Sequence, residues 1–241
     1  MCIRDRCKSN ILKSGRKPLN ISKTLDGIWW ILVTGSQWNQ LPERYGKWNS
    51  VYRFHLRWSK KGVFTKMLKQ ISEERNEDNF AIMDASYVKV HQDACYFPLN
   101  DENQGFGKTK GGRNTKIHAL TNAKGQALNF ILTPGNKHEV TVAVDLLEYG
   151  KDRIVLGDKG YDSDKLREEI NQAGGIAQIP GKSNRKEPVF YLKEVGKIRH
   201  VVENYFCKVK RFRRVATRYD RTSVTYLSFL ALASLTTWFK N

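Results

Sequence analysis

The chain has few cysteines and no long apolar run, and each shortage excludes a class of protein. Its four cysteines contain no Cys-x-x-Cys pair, so the spacing fits neither a zinc site nor a disulfide framework and favours a reducing compartment. The first residues are polar and charged, which argues against a secretory signal. The most apolar stretch, 223–239, is short and rich in Ser and Thr, so we interpret it as a buried helix. We therefore expect a cytoplasmic protein without membrane contact.

Acidic residues are also scarce. Against 24 Asp and Glu the chain carries 42 Lys and Arg, giving a formal net charge of +18 and a sequence pI near 9.8. Such an excess favours a polyanionic partner. The basic residues cluster between 182 and 218 and again at Lys108, Lys110, Arg113 and Lys116. DNA, RNA and an anionic membrane face are the candidates, and clustering favours a nucleic acid over a charge that serves solubility alone.

The N-terminal part divides into two sections. Residues 1–15 begin with Met-Cys-Ile-Arg-Asp-Arg, which looks unrelated to the rest of the chain, and we leave them unassigned or artefactual. Residues 16–75 contain five of the six tryptophans and repeat the i, i+3, i+4, i+7 spacing of an amphipathic helix three times. Ser22 is predicted to cap the first helix and Gly35 to end it. We expect a small helical domain, of helix-turn-helix type or purely structural, in which Arg53 and Arg57 suit phosphate contacts.

The pattern changes after a polar linker at 72–79. Apolar, β-branched runs predict strands at 80–90, 115–121, 127–133, 153–158 and 175–179. Short connections join the first three as an antiparallel meander, whereas helices at 138–149 and 162–173 predict parallel additions to the sheet. Two more helices are predicted at 198–216 and 223–239. The sequence therefore predicts an α/β fold, a mixed sheet with flanking helices over 80–241.

Two aspartates belong to apolar runs of this sheet, one inside a run and one at the end of another. Asp84 lies within 80–90, on a strand predicted to be central, and Asp158 follows 154–157. Carboxyl ends of strands in open α/β sheets are where ligands bind, so the two carboxylates could share a metal ion. Simpler interpretations are a strand-end aspartate satisfied by backbone amides for Asp84 and a turn or helix cap for Asp158. Carboxylates without Cys or His companions suit a hard cation such as magnesium.

A third acid, Glu203, lies on the predicted helix 198–216. Helical spacing places it away from the apolar face and in line with Arg199, Lys210 and Arg214. It could form a surface ion pair with Arg199 or bind a metal on a face that also grips DNA phosphates. The helix pattern alone does not separate the two. His118, on the second strand of the meander, is interpreted as a core histidine.

At these residues the chain resembles the DDE transposases of the IS5-like insertion-sequence group, within the IS4/IS5 superfamily. The resemblance begins near residue 16. It is carried by Trp38-Asn-Gln-Leu-Pro-Glu-Arg-Tyr-Gly-Lys-Trp48, Met83-Asp-Ala-Ser-Tyr87, Asp158-Lys-Gly-Tyr-Asp162 and Arg213-Arg-Val-Ala-Thr-Arg-Tyr-Asp220. The superfamily's third motif is Tyr, two residues, Arg, three residues, Glu, six residues and Lys; Arg199, Glu203 and Lys210 match it, but Gly196 stands at the tyrosine.

The resemblance implies an RNase H-like catalytic core in which Asp84, Asp158 and Glu203 form the metal-binding triad. It implies two Mg²⁺ ions, with Mn²⁺ as a possible substitute, and cleavage at transposon ends followed by strand transfer. The expected partners are double-stranded DNA, as terminal inverted repeats and target, and a second copy of the chain, in a nucleoid-associated complex. Two rivals are an RNase H-like nuclease without strand transfer and a non-catalytic DNA-binding derivative.

Ten basic residues are predicted to contact DNA. Arg199 and Lys210 are expected near the scissile phosphate, because Arg forks onto phosphate and Lys acts as a point charge. The others are expected to follow the backbone, and they are Arg213, Arg214, Lys108, Lys110, Arg113, Lys116, Arg53 and Arg57.

Overall fold

The computed structural model describes residues 20–94, 104–147 and 151–239. The section predicted to be unassigned, 1–15, and Cys2, Cys7 and Cys95 lie outside these ranges. Cys207 is a free, exposed cysteine.

Helices make up most of the first and last described segments of the chain. In chain order they are α1 (Ile21–Thr34), α2 (Trp48–Lys60), α3 (Val63–Arg75), α4 (Val140–Leu146), α5 (Asp164–Gln172), α6 (Lys193–Gly196), α7 (His200–Val209), α8 (Arg213–Ala216) and α9 (Ser223–Leu235). Short 3-10 turns occur at Trp38–Gln40, Glu43–Tyr45, Gln92–Ala94, Lys159–Tyr161, Lys197–Arg199 and Thr236–Trp238.

The three predicted N-terminal helices are present, with corrections at their ends. Gly35 ends α1 in the left-handed conformation, at φ 68°, where glycine has no side-chain penalty. The cap at the start is Asn20 rather than Ser22, because the Asn20 side chain accepts a hydrogen bond from the Lys23 amide at 3.1 Å. Helix α3 continues to Arg75, so the predicted linker at 72–79 is shorter than expected.

Within the described residues the sheet has seven strands, some paired parallel and others antiparallel. They are β1 (Phe80–Val90), β2 (Gly107–Thr109), β3 (Gly112–Thr121), β4 (Ala127–Pro134), β5 (Ile154–Leu156), β6 (Ile176–Gln178) and β7 (Thr217–Arg218). The main path runs β2-β3-β1-β5-β6, with β4 on β3 and β7 on β1. β1, β3 and β4 pair antiparallel, and β5 and β6 add in parallel. The predicted meander, the central β1 and the parallel additions are confirmed.

The register between β1 and β5 sets the position of the two aspartates. Ile82 of β1 lies opposite Leu156 of β5 in the parallel ladder. Asp84 and Asp158 each come two residues later, so both stand just beyond the carboxyl end of the paired segment. Parallel strands run in the same direction, so equal offsets bring the two residues to the same level of the sheet.

The long helix predicted at 198–216 is interrupted. Helix α7 ends at Val209, and the chain resumes helical structure only at α8. Phe212 has extended dihedrals and packs edge-on against Trp29 of α1, with ring centroids 5.3 Å apart. The break therefore turns an aromatic side chain away from the α7 axis and onto the N-terminal helices.

One hydrophobic core joins the N-terminal helices to the sheet. Ten of the 13 residues of α9 are buried, and this helix packs on α2 and α3 as well as on β4. Helix α1 packs on α2 and α8. Burial on all sides explains why α9 is apolar without being a membrane segment. No helix within the described ranges is long and apolar enough to cross a bilayer.

His55 in this core gives the protein a predictable acid sensitivity. Its ring stacks on Phe229 at 4.2 Å, and burial lowers its pKa from 6.5 to about 4. The folded state therefore stays unprotonated while the unfolded chain takes up a proton, so stability is lost as pH falls from 6.5 towards 4.

We expect His55→Phe, which keeps an aromatic ring against Phe229, to lose less unfolding free energy over that pH range. The difference in slope should approach about 1.4 kcal/mol per pH unit for one proton. Urea unfolding at pH 7, 6, 5 and 4 would measure it, with the exposed His138→Gln as the control. Equal slopes for His55→Phe and the unsubstituted protein would contradict the assignment.

Candidate active site

Asp84 lies at the centre of a group of carboxylates. Its side chain is 18% exposed, and its Oδ1 accepts a hydrogen bond from the Ala85 amide at 2.8 Å. Burial raises the pKa of Asp84, and the negative charges of Asp158 and Glu139 raise it further, against the Ala85 hydrogen bond and the positive charge of Arg199. The structure thus brings Asp84 and Asp158 into one electrostatic site and adds Glu139 to it.

Asp158 also has a local structural role. Its Oδ1 accepts the Gly160 amide at 2.8 Å and caps the turn Lys159–Tyr161. The turn interpretation made from the sequence is therefore correct as far as it goes. A carboxylate that caps one turn keeps free lone pairs, so this hydrogen bond does not exclude a second role.

Arg199 connects Asp84 to Glu203. Its guanidinium donates to Asp84 Oδ2 at 3.1 Å and to Glu203 Oε1 at 2.7 Å. Glu203 lies on α7 with about half of its side chain exposed (53%). The Arg199–Glu203 ion pair, one of the two alternatives that the sequence left open, is present, and the second contact to Asp84 places one positive charge between the two carboxylates.

Glu139 was missed in the sequence. It stands immediately before α4, and its Oε1 pairs with Lys116 Nζ at 2.9 Å. A Cβ placed on Gly160 would lie 2.6 Å from Glu139 Oε2 and 2.9 Å from Asp158 Oδ1, so an oxygen of each carboxylate lies beside this glycine. In the sequence, Glu139 is recognisable only as an acid between a predicted strand and a predicted helix. Acids are common at that position, so the pattern does not single it out.

The donor set fits a hard divalent cation, although the side chains are not arranged around one. In the part of the chain that the structure describes, no group of three or more His, Cys, Asp or Glu side chains is placed to hold a metal ion. The converging ligands offer carboxylate oxygens only, as magnesium prefers. A cation between Asp84 and Glu203 would have to displace the Arg199 guanidinium, the positive charge now found there.

Most of the predicted DNA-contacting residues are accessible. Lys108 and Lys110 lie on the exposed β2–β3 hairpin, and the side chains of Arg113, Arg213, Arg53 and Arg57 are exposed as well. Lys210 is half-buried beside the site, where its Nζ donates to Ser86 Oγ at 2.6 Å and to the Tyr87 carbonyl at 2.9 Å.

Two predicted DNA contacts need correction. Lys116 is only 5% exposed, and its ammonium pairs with Glu139. Arg214 is also 5% exposed and forms a two-pronged ion pair with Asp220, at 3.1 Å for each hydrogen bond. Acidic side chains inside the protein already neutralise both charges, so Lys116 and Arg214 are not part of the surface proposed to contact DNA. His118 is fully buried against Thr133 Oγ1, which confirms the core interpretation.

Comparison with known proteins decides the family. The model described as "Transposase DDE domain" matches residues 75–237, and the model described as a putative transposase of the IS4/5 family matches residues 5–68. The chain belongs to the DDE transposase family. Together the two matches span the N-terminal helices and the sheet with its carboxylate site.

Individual relatives agree with this assignment. The chain is 34% identical over 128 residues to a putative transposase for insertion sequence element IS6501 of Brucella ovis, covering 52% of this chain and 98% of that protein. It is 29% identical over 147 residues to a putative transposase for element IS402 of Burkholderia cepacia, covering 53% and 67%. A piggyBac transposase, solved as a synaptic complex with hairpin DNA, shares the fold at 9% identity and TM-score 0.57, over 98% of this chain and 69% of that one. The sheet with its helices is thus RNase H-like, as the resemblance implied.

Gly196, where the family's third motif has a tyrosine, is in contact with a different tyrosine. A Cβ on Gly196 would collide with the hydroxyl of Tyr191. The absence of a side chain at 196 therefore makes room for the Tyr191 ring. This explains how the departure is accommodated locally and leaves Arg199, Glu203 and Lys210 in place.

The position of Arg199 predicts that it competes with divalent cations. Arg199→Gln should bind Mn²⁺ more tightly than the unsubstituted protein in the absence of DNA, by about tenfold, because no guanidinium has to be displaced. Titration followed by the electron paramagnetic resonance of free Mn²⁺ would measure this. Lys197→Gln, which removes a charge from an exposed pair with Glu194, is the control. Unchanged affinity in Arg199→Gln would show that the guanidinium does not guard the site.

Proposed function

We propose that this protein is an insertion-sequence transposase that cuts DNA at the ends of its element and joins the freed ends to target DNA. The observation that carries the proposal is the convergence of Asp84, Asp158 and, through Arg199, Glu203 in a chain of the DDE family. These are the three acids that the family motifs indicate; Asp84 lies within β1, Asp158 follows β5 and Glu203 lies on α7. The proposal extends the family assignment to a specific reaction.

The carboxylates of Asp84, Asp158 and Glu203 would hold Mg²⁺, two ions in our proposal, with Mn²⁺ able to substitute. Bound cations of this kind lower the pKa of an attacking water and stabilise the leaving 3′ oxygen of a phosphodiester. Arg199 would exchange its carboxylate partners for a DNA phosphate, and Lys210 would hold another beside Ser86. No side chain is assigned as a covalent nucleophile, since a freed 3′ hydroxyl can itself attack the target.

The proposed DNA surface consists of the accessible basic residues. They are Lys108, Lys110 and Arg113 on the hairpin, Arg213 after α7, and Arg53 and Arg57 on α2, together with Arg199 and Lys210 at the site. Formal net charge of +18 supports a strong electrostatic component of binding. Cutting both ends in one complex requires two active sites, so we propose a homodimer on nucleoid DNA in the cytoplasm.

Neutralising any one acid of the triad should abolish cleavage without loss of DNA binding. Asp84→Asn, Asp158→Asn and Glu203→Gln are each expected to slow cleavage by at least about a hundredfold, since a bound cation supplies several kcal/mol to the transition state. The measurement is Mg²⁺-dependent cleavage and joining of labelled DNA that carries the element's own ends. Asp145→Asn, which removes one exposed carboxylate from α4, is the control and should retain activity.

The same assay separates the rival functions. Cleavage without any joined product would favour a nuclease of the same fold. Specific binding with no cleavage by the unsubstituted protein would favour a non-catalytic derivative. Equal cleavage by Glu203→Gln and the unsubstituted protein would show that this glutamate is not the third acid.

The basic residues of α2 should contribute to the salt dependence of binding. Each lost phosphate contact reduces the slope of log K against log salt by about 0.9, so Arg53→Gln with Arg57→Gln should reduce it by about 2. Filter binding at several NaCl concentrations would measure the slope. Lys151→Gln with Lys165→Gln, an exposed pair outside the proposed surface, controls for net charge. An equal slope in both double variants would place the DNA elsewhere.

A further inference from the structure

Glu139 is held in the site by contacts that a solvated surface acid does not have. Lys116 of β3, whose side chain is 6% exposed, pairs with its Oε1 at 2.9 Å, and Glu139 itself is 23% exposed. The Lys116 ammonium is fixed in turn, since it lies 5.0 Å from the centre of the Tyr87 ring and donates to the Lys137 carbonyl at 3.4 Å. One oxygen of Glu139 is therefore anchored, and the direction of the carboxylate is set by the sheet.

The second oxygen of Glu139 lies near Gly160, as does one oxygen of Asp158. Glu139 Oε2 and Asp158 Oδ1 lie 2.6 Å and 2.9 Å from the same point above Gly160, the position of an absent Cβ. The glycine leaves this space open between the two oxygens. The two oxygens are therefore within about 5.5 Å of each other. The Gly160 amide donates to Asp158 Oδ1 and offsets part of the repulsion between the carboxylates, and a shared cation would offset the rest.

Tyr161 is a buried group that the charges of the same carboxylates influence. Its side chain is fully buried, and its hydroxyl has no hydrogen-bond partner among the residues that the structure describes. Burial raises the pKa of Tyr161, and the negative charges of Glu139, Asp84 and Asp158 raise it further. A buried hydroxyl without a partner is costly, and a bound ion's water shell would satisfy it.

The charges around the site are also unbalanced. Within the described part of the chain, Asp84, Glu203 and Glu139 form ion pairs with two basic side chains, Arg199 and Lys116, and Asp158 forms none. A divalent cation would neutralise the remaining two negative charges.

We propose that Glu139 is a fourth acidic residue of the cation site, near Asp158 and beside Gly160, and that Lys116 is the positioning residue that holds it there. This inference rests on the proposed function, since it adds a ligand to the same site. It also gives Lys116 a role different from the DNA contact predicted from the sequence.

A simpler role for the pair is to tie β3 to the start of α4. An ion pair of that kind would affect stability and leave cation affinity unchanged. Measuring the two properties separately in the full chain distinguishes the roles.

The test is Mn²⁺ titration of the full chain without DNA, for Glu139→Gln and for Asp145→Asn as the matched loss of one carboxylate near α4. Glu139→Gln should weaken Mn²⁺ binding by about tenfold or more, and Asp145→Asn should bind as the unsubstituted protein does. Melting curves in EDTA show whether Glu139→Gln is folded. Gly160→Ala is a second variant that keeps every charge and pushes the two carboxylates apart, and it should weaken binding as well.

Each result decides the inference. Weaker Mn²⁺ binding by Glu139→Gln and Gly160→Ala, with an unchanged control, supports it. Unchanged binding and cleavage by folded Glu139→Gln would overturn it and leave the proposed function intact. Should Glu139→Gln fail to fold, unchanged affinity in Gly160→Ala would overturn it. Absence of both Mn²⁺ binding and cleavage in the unsubstituted protein would overturn the proposed function, and this inference with it.

Discussion

The site depends on keeping several carboxylates close together despite their mutual repulsion. Asp84 and Asp158 stand at the same level of two parallel strands, and burial makes the charge of Asp84 costly. Arg199 offsets part of that cost by bridging Asp84 and Glu203, and Lys116 does the same for Glu139. The structure therefore gathers an excess of negative charge beside β1 and β5, and two basic side chains offset part of it.

The elements that create this arrangement are supported from outside the site. Helix α7 carries Arg199's partner Glu203 and packs on β1 and β3. Helix α9 packs between the sheet and the N-terminal helices, and the buried Arg214–Asp220 pair adds a hydrogen bond from Arg214 to the Ser36 carbonyl after α1. Breaking such a buried pair by removing one partner typically costs about 3–5 kcal/mol, so the N-terminal helices are tied to the rest by more than apolar contact.

Much of this architecture is legible in the sequence, and the exceptions have physical reasons. Asp84 was identified as an acid inside an apolar strand, where burial is costly without a partner, and Asp158 as an acid at the end of such a run. Helical spacing did not decide whether Glu203 forms a surface ion pair or binds a metal, and only the family motif favoured metal binding. Glu139 escaped notice because its significance comes from Gly160 and Lys116, which are distant along the chain. Net charge likewise does not reveal which cations are buried, so Lys116 and Arg214 were assigned to the surface.

The sequence pattern also did not predict the short elements of the fold. The two-residue strand β7 and the break after Val209 depend on tertiary packing, here of Phe212 on Trp29, rather than on local pattern. Division of the chain at 16–75 and 80–241 stays a prediction, and the continuous core shows that the two sections do not pack separately.

The continuous core also fixes the distance between the basic residues of α2 and the carboxylate site. Arg53 and Arg57 stand on α2, which packs on α9, and α9 contacts the sheet that carries the acids. Because these contacts form one unbroken packed path, DNA gripped at α2 would meet the acids at a constant number of base pairs from the grip. The distance between α2 and the acids, which the packed core keeps constant, would then fix how many base pairs separate the contacted terminal sequence from the cleavage point.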